Sequence, residues 1–261
     1  MANTVSSAET IVILAAGGNP TGIVCFPDSS HRHEYPQIAK EVMAENPEVE
    51  QFGFLEGDSH FQMSGGEFCG NAARAAALLI SQKSSKKAGS FTISGFEGQV
   101  FYKVLDNGEV VECQFTGLPM KKSQVTVLGE QADLVDMGGI VHVVLPFKSH
   151  FDPIPETYRT VHRQITDSLG LNQRAAVGVI WREKQRDGST LIHPVVWVRD
   201  IDSFFYETAC GSGTLAVLAV SDATRENIVQ PSGGSIYAEK KTGDTFLLRS
   251  KMQIKKGEVP L

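Results

Sequence analysis

The sequence predicts an α+β protein built from two similar halves, and two matched junctions between a cysteine and a helix are the main reason. Cys69 precedes the run GNAARAAALLI and Cys210 precedes GSGTLAVLAVSD, and both runs predict helices of small apolar residues. In each half a strand and a loop come before the cysteine, and strands led by a serine, Ser90 or Ser235, follow the helix. The alternative is chance similarity between two unrelated α+β units, which requires both junctions to match by accident.

This repeated order predicts two homologous domains with a cleft between them. Residues 1–117 form the first domain, with the Cys69 helix, and residues 118–249 form the second, with the Cys210 helix. We expect the join near residues 118–125, and we expect residues 250–261 to return to the first domain. A cleft between domains is a frequent place for a small-molecule site.

Turn residues and hydrophobic alternation locate the other elements. The first half gives a strand–turn–strand unit, a helix, a strand, an extended stretch and three more strands, at residues 10–26, 35–43, 51–55, 61–64, 90–94, 99–105 and 109–115. The second half gives a strand broken by Gly-Gly, a helix, two strands and a closing hairpin, at residues 136–146, 156–169, 176–181, 192–198 and 234–249.

Composition excludes several classes of function. The 261 residues include 24 Lys+Arg and 30 Asp+Glu, so the net charge is −6, which does not favour a nucleic-acid partner. A hydrophobic fraction of 41% predicts a globular chain, not a disordered one. No apolar run is long enough to cross a membrane, and the N-terminus lacks the pattern of a signal peptide. We therefore expect a cytoplasmic protein whose four cysteines stay reduced, without a zinc site.

Two cysteines at helix starts predict acid–base chemistry. A helix N-terminus carries unpaired N–H groups and a partial positive charge, which lower the pKa of a thiol and bind a carboxylate. If Cys69 and Cys210 face one cleft, an α-carboxylate held by both helix starts places its Cα between the two sulfurs. One thiolate then removes the Cα proton, and the opposite thiol returns a proton to the other face. Such a reaction inverts a stereocentre.

Other roles for the cysteines stay open. Oxidation could join Cys69 and Cys210 in a disulfide, which a reducing compartment would make an inactive form. A single nucleophilic cysteine, as in an amidase, leaves the second Cys-Gly helix start unexplained. An inert buried thiol is the ordinary reading of any one cysteine, and we adopt it for Cys25 and Cys113, which alternate with strand residues.

The motifs EFCGNA, at residues 67–72, and ETACGSGT, at residues 207–214, resemble those of diaminopimelate epimerase and its cofactor-independent racemase relatives. The resemblance spans both halves. It implies two pseudo-symmetric domains, each a mixed barrel-like sheet around a central helix, with the active site in the cleft. It also implies a two-base mechanism that needs neither pyridoxal phosphate nor a metal, a small amino-acid substrate and a homodimer.

The resemblance also assigns roles to individual residues. Cys69 and Cys210 are the catalytic pair it implies, and His142 is matched to a histidine that tunes a catalytic thiol, although a satisfied core histidine is the alternative. Asp202 is matched to a glutamate beside the α-ammonium group that also tunes the thiols, although a solvated loop acid is the alternative. The remaining matches bind substrate: Asn19, Gln51, His60, Gly70, Asn71, Gly211 and Ser212.

Departures from the diaminopimelate epimerase pattern bear on the substrate. Ser203 stands where that enzyme has an arginine for the distal carboxylate, and Ile140 stands at an asparagine position. A second carboxylate would then be buried without its counter-charge, which is costly. The run MSGGEFC, at residues 63–69, is most similar to histidine racemases of opine-metallophore biosynthesis. Histidine is therefore the leading substrate; the alternatives are diaminopimelate, another basic amino acid, or a non-catalytic protein that binds amino acids.

Overall fold

This computed structural model describes residues 10–147 and 151–257, and these residues form sixteen strands and four α-helices. The strands are β1 (Ile11–Ala15), β2 (Gly18–Phe26), β3 (Gln51–Glu56), β4 (His60–Met63), β5 (Ala88–Ile93), β6 (Phe96–Leu105), β7 (Val110–Thr116), β8 (Lys121–Val127), β9 (Glu130–Asp136), β10 (Val141–Pro146), β11 (Ala176–Lys184), β12 (Thr190–Val198), β13 (Ser203–Tyr206), β14 (Arg225–Val229), β15 (Ser235–Lys240) and β16 (Thr245–Lys256). The helices are α1 (Tyr35–Glu45), α2 (Gly70–Ser84), α3 (Pro155–Ser168) and α4 (Gly211–Val220).

The strands of the first half close into a barrel. β1 to β7 pair in chain order, and the C-terminal strand β16 pairs with both β7 and β1. The barrel is mixed, because the β2–β3 and β4–β5 pairs are parallel and the others are antiparallel. Closure therefore pairs both edges of every described strand of this barrel.

Helix α2 runs through the interior of this barrel and contacts all eight of its strands. An eight-stranded barrel has room for little more than its own side chains, so a helix fits inside only if its residues are small. Residues 70–81 of α2 are all buried, and most of the first two turns is alanine or glycine. The Ala-rich sequence therefore both forms the helix and permits it to be enclosed.

The second half wraps a sheet around α4 in a similar way but does not close. From β16 the sheet continues through β15, β14, β12, β11, β10, β9 and β8, and β13 pairs with the second half of β12, on the same edge as β14. Residues 211–219 of α4 are all buried against this sheet. Because β16 pairs with β15 on one side and with β7 on the other, it joins the two halves.

The other two helices cover the outside. α1 packs on β3 through Tyr35 and Ala39, next to Phe52 and Phe54. α3 packs on β12 in a separate cluster around Trp181. No helix among the described residues is long and apolar enough to cross a membrane.

The chain passes from β7 to β8 at residues 117–120, at the start of the stretch where the join between the halves was expected. Most of that stretch, residues 118–125, lies in β8, which forms a hairpin with β9. The polar sequence KKSQVTV of β8 is usual for an exposed strand at the end of a sheet. The broken strand expected at residues 136–146 is the end of β9 and all of β10, with Gly138 and Gly139 between them.

The first turns of α2 and α4 touch each other at two glycines. A methyl group built on Gly211 would lie 3.0 Å from the backbone of Gly70 and 2.9 Å from Oδ1 of Asn71. One built on Gly70 would lie 2.7 Å from Leu248 and 3.2 Å from the Gly211 carbonyl carbon. Glycine at both positions is therefore what permits the two helix starts to meet.

We expect Gly211→Ala to lower the free energy of unfolding by about 1–3 kcal/mol, because the added methyl group overpacks this contact. Urea denaturation measures the change. Gln82→Ala, on an exposed position of α2 far from the contact, is the control and should leave stability unchanged. Equal stability of Gly211→Ala and the unmodified protein would show that the contact is loose.

Candidate active site

Cys69 and Cys210 are the N-cap residues of α2 and α4. Their backbones are almost identical, with φ −131° and ψ 113° at Cys69 and φ −137° and ψ 108° at Cys210. Each sulfur accepts a hydrogen bond from the amide three residues on, from Ala72 at 3.4 Å and from Gly213 at 3.2 Å. The predicted equivalence of the two junctions is therefore found in their local geometry.

A hydrogen bond ties the two helix starts together. The side-chain amide of Asn71 donates to the carbonyl oxygen of Ala209, at 2.8 Å, immediately before Cys210. With the contact between Gly70 and Gly211, this bond fixes one thiol relative to the other. Beside this junction lies a narrow cavity bounded by both halves, which Cys69 and Ser212 help to line.

The Cys69 thiol belongs to a polar network at one end of the cavity. Its S–H donates to Oε1 of Gln51 at 2.5 Å, and the Gln51 amide donates to Oδ1 of Asn19 and, at 3.3 Å, to Glu207. Asn19 is fully buried with φ 46°. Its side chain donates to Glu50 at 3.2 Å, and its backbone N–H donates to the Thr208 hydroxyl at 2.6 Å. Gln51 thus contacts the thiol directly, and Asn19 lies one hydrogen bond further away.

Cys210 is more deeply enclosed, at 1% exposure. Its sulfur lies 3.7 Å from the hydroxyl of Ser212, and the nearby carboxyl group of Glu207 raises its pKa. Its backbone N–H donates to the side chain of Gln230 at 2.8 Å. Ser212 therefore contacts the Cys210 thiol through its hydroxyl group, whereas the sequence analysis gave Ser212 only a role in binding substrate.

The resting thiols do not have the lowered pKa that helix starts alone predict. Burial is the largest effect and raises the pKa of both Cys69 and Cys210, and the negative charge of Glu207 raises both further. The amide hydrogen bonds from Ala72 and Gly213 lower the pKa, as expected of a helix start, but they are outweighed. Both thiols are protonated in the empty site.

Two buried carboxyl groups accompany the thiols. Glu67 precedes Cys69 by two residues and Glu207 precedes Cys210 by three, and both line the cavity. Burial raises the pKa of Glu67 to about 7 and that of Glu207 to about 8. Glu50, which accepts hydrogen bonds from the backbone N–H and the hydroxyl of Thr208, also has its pKa raised by burial. The sequence analysis assigned no role to these acids, although a glutamate shortly before each cysteine was the available signal.

Asp202 is not at the site, and its predicted contact with the α-ammonium group is wrong. It lies in an exposed turn with φ 45°, and its carboxylate accepts a hydrogen bond from the Trp197 indole at 3.1 Å. The tight turn before β13 directs it to the surface. Glu207, at the start of the loop into α4, occupies the place beside the thiols instead.

His60 and His142 also lie apart from the thiols. His60 begins β4, where its ring hydrogen-bonds Thr92 at 2.7 Å and Gln62 at 3.3 Å, away from the cavity lining. The ring of His142 packs on Gly178 of the neighbouring strand. Burial lowers the pKa of His142 to about 3, and among the described residues neither ring nitrogen has a hydrogen-bond partner. His142 is therefore neutral and has no direct bond to either thiol.

The other end of the cavity is mostly apolar. Ile140, Val198, Ile201 and Phe205 form its walls, and Ser203 adds one hydroxyl group. Ile140 and Ser203 are the two positions at which the sequence departs from diaminopimelate epimerase. The described residues contain no group of three or more His, Cys, Asp or Glu side chains placed to hold a metal ion.

Comparison with known proteins identifies the family. The sequence model described as the N-terminal domain of histidine racemase CntK matches residues 18–255. The chain belongs to this family. Within it, a histidine racemase of Fusobacterium nucleatum is 30% identical over 215 residues, which are 77% of this chain and 78% of that protein. A histidine racemase of Staphylococcus aureus is 27% identical over 252 residues, or 85% and 86% of the two chains. This family member is an isomerase of the racemase class.

Solved structures confirm the predicted α+β epimerase fold for this family member. A predicted epimerase from Pseudomonas aeruginosa superposes with a TM-score of 0.62 at 13% identity, covering 98% of this chain and 99% of that one. A hydroxyproline epimerase from Agrobacterium vitis gives 0.61 at 12% identity, covering 95% and 91%. A member of the PhzF phenazine-biosynthesis family from Enterococcus faecalis gives 0.59 at 16% identity, covering 97% and 99%.

The buried carboxyl groups make stability depend on pH. The pKa values of Glu207 and Glu67 in the folded protein are about 8 and about 7, above the ordinary value of 4.5. The folded state therefore keeps protons that the unfolded chain loses, and this stabilisation is fully present below the unfolded pKa. We expect the free energy of unfolding to fall as the pH rises from about 5 to about 8.

Chemical denaturation at a series of pH values measures this slope, and Glu207→Gln should flatten it. Glu41→Gln, at an exposed position on α1, is the control and should keep the full slope. The same slope in Glu207→Gln as in the unmodified protein would contradict the protonated state assigned to Glu207.

Proposed function

We propose that this protein is a cofactor-independent racemase that inverts the Cα of histidine with Cys69 and Cys210 as its two acid–base groups. The observation that carries the proposal is the meeting of two cysteine-capped helix starts beside one cavity. The names of the related histidine racemases support histidine as the substrate. A protein that only binds amino acids would need the helix starts but not a thiol on each of them.

The helix starts supply the carboxylate site. The first N–H groups of α2 and α4 have no partner within their own helices, and both helix dipoles direct positive charge to the same point. We propose that the backbones of Gly70, Asn71, Gly211 and Ser212 hold the α-carboxylate of the substrate. The glycines permit a ligand to approach the backbone closely.

Proton transfer then uses one thiol on each side of Cα. The thiolate of one cysteine takes the Cα proton, and the electron pair left on Cα delocalises into the carboxylate held by the amides. The thiol of the other cysteine gives its proton to the opposite face of Cα. The two sulfurs exchange protonation states in each turnover, so atoms and charge balance without pyridoxal phosphate or a metal ion.

Substrate binding also accounts for how a thiolate forms although burial raises the pKa of both thiols. The negative charge of Glu207 raises the pKa of both cysteines, and Glu67 adds to this at Cys69. A positive α-ammonium group that enters between these two carboxyl groups favours the ionised form of every acid around it, and so favours a thiolate. The base therefore forms mainly when substrate is present, which protects the thiols in the empty site from reaction with oxidants and electrophiles.

We assign the imidazole ring to the remaining end of the cavity, which must widen to admit it. Its apolar walls, formed by Ile140, Val198 and Phe205, give van der Waals contacts to a ring. One carboxyl oxygen of Glu67 is buried without a hydrogen-bond partner among the described residues. A ring N–H would satisfy that oxygen. None of the arginines among the described residues lines the cavity to neutralise a second carboxylate, so diaminopimelate fits this end poorly. A homodimer and a cytoplasmic location remain part of the proposal.

Cys69→Ala and Cys210→Ala should each lower the rate of histidine racemisation at least about 10²-fold, because each removes one of the two proton-transfer groups. Loss of the Cα–H signal from L-histidine in D₂O, together with chiral chromatography, measures the reaction. Cys25→Ala, on β2 and outside the cavity lining, is the control and should keep full activity. Full racemisation by either of the first two variants would overturn the two-base mechanism.

We expect kcat/KM to be higher for L-histidine than for diaminopimelate. Glu67→Gln should raise KM for histidine about 10-fold or more, because it replaces a charge-assisted hydrogen bond with a neutral one. Steady-state kinetics checks both statements, with Glu41→Gln as the control. A higher kcat/KM for diaminopimelate would leave the thiol mechanism in place and reverse the choice of substrate.

A further inference from the structure

A guanidinium group lies buried inside the barrel, and no acidic side chain of the described residues pairs with it. Arg74 is on α2, slightly more than one turn after Cys69, and is 0% exposed. Its Nη2 donates to Oδ1 of Asn71 at 2.5 Å, whereas Nε and Nη1 have no hydrogen-bond partner among the described residues. Burial lowers the pKa of Arg74 only to about 10, so it stays charged at neutral pH.

Such an arrangement is costly and therefore unusual. A buried cation normally pairs with a carboxylate, and one without that partner loses solvation that hydrogen bonds to neutral groups restore only in part. The titratable groups that act on Arg74 are three thiols, those of Cys113, Cys69 and Cys210. The charge of Arg74 thus acts on three thiols that burial keeps protonated. Two of them, Cys69 and Cys210, become thiolates during the proposed reaction.

Arg74 is also connected to both helix starts. It holds Oδ1 of Asn71, and the other side-chain atom of Asn71, Nδ2, donates to the carbonyl oxygen of Ala209 before Cys210. The bond from Arg74 therefore fixes the orientation of the Asn71 amide that links α2 to α4. A charge at this point adds to the positive potential of the two helix N-termini.

We infer that Arg74 is a positioning residue for both thiols, which orients Asn71 between the two helix starts and stabilises a thiolate at Cys69 or Cys210 by its unpaired buried charge. The inference rests on the proposed function. Carboxyl groups act against thiolate formation: Glu207 and Glu67 raise the pKa of Cys69, and Glu207 raises that of Cys210. Glu50 in turn raises the pKa of Glu207. Arg74 opposes these carboxylates from the interior, where no water screens it.

The test is the pH dependence of thiol alkylation, which needs no turnover. Iodoacetamide labelling of Cys69, followed by peptide mass spectrometry, gives a midpoint pH for thiolate formation. Arg74→Met should move this midpoint upward by about one pH unit or more, which is a tenfold slower reaction at a fixed pH below the midpoint. Arg74→Gln should do the same, and Arg74→Lys, which keeps the charge, should recover most of the shift. Arg163→Met, on an exposed position of α3, should change nothing.

Histidine racemisation by the same variants gives the second readout. We expect kcat to fall about tenfold or more in Arg74→Met and Arg74→Gln, with the alkaline shift repeated in the pH profile of kcat, while Arg74→Lys stays closer to the unmodified protein. Unchanged midpoints in the neutral variants, or an Arg74→Lys variant as impaired as Arg74→Met, would overturn the inference. Absence of histidine turnover in the unmodified protein would overturn the proposed function alone, because the alkylation midpoints would still decide the role of Arg74.

Discussion

The contact between the first turns of α2 and α4 is the constraint on which the site depends. Gly70 and Gly211 leave no room for side chains between the two helices, so the two N-terminal turns meet directly. Two positive helix ends repel each other, and each also leaves N–H groups without partners. The fold offsets this by the bond from Asn71 to Ala209 and by hydrophobic burial of both helices along most of their length. A carboxylate placed at the meeting point would satisfy the remaining donors.

Enclosure by the barrel and the sheet also keeps the acidic groups of the site protonated. A barrel and a wrapped sheet exclude water from both helix starts, and exclusion of water favours the neutral form of every acid there. Glu67, Glu207 and both thiols are therefore shifted towards protonation. Arg74 is the exception, because a guanidinium remains charged even when fully buried. Arg74 is therefore a fixed positive charge inside the barrel, near several groups that can gain or lose a proton.

The sequence predicted those features that local patterns determine. A Cys-Gly pair before a run of small residues is enough to predict a capped, buried helix, and the recurrence of that pattern predicted the equivalence of Cys69 and Cys210. Asn19 and Gln51 were found through a family resemblance; Gln51 contacts the Cys69 thiol, and Asn19 lies one hydrogen bond further away. Asp202 was placed wrongly because its position depends on a left-handed turn that sequence spacing does not reveal. Glu67 and Glu207 were overlooked because the pKa of a carboxyl group depends on burial, which only the assembled barrel and sheet create.

The two halves match in backbone but differ in chemistry, and this difference bears on the reaction. The Cys69 thiol donates to a neutral amide, Gln51, while the Cys210 thiol lies against Ser212 and the carboxyl group of Glu207. A carboxylate beside a thiol disfavours its ionisation, and Cys210 is also the more enclosed of the two thiols, so we expect it to be the harder one to deprotonate. A racemase must nevertheless use both sulfurs as bases, one for each enantiomer. The α-ammonium group of either enantiomer, lying near Glu207, removes the disadvantage of Cys210 more than that of Cys69. Substrate binding therefore brings the two thiols closer in basicity, and a reversible reaction between mirror-image substrates becomes compatible with a site whose two sides are unlike.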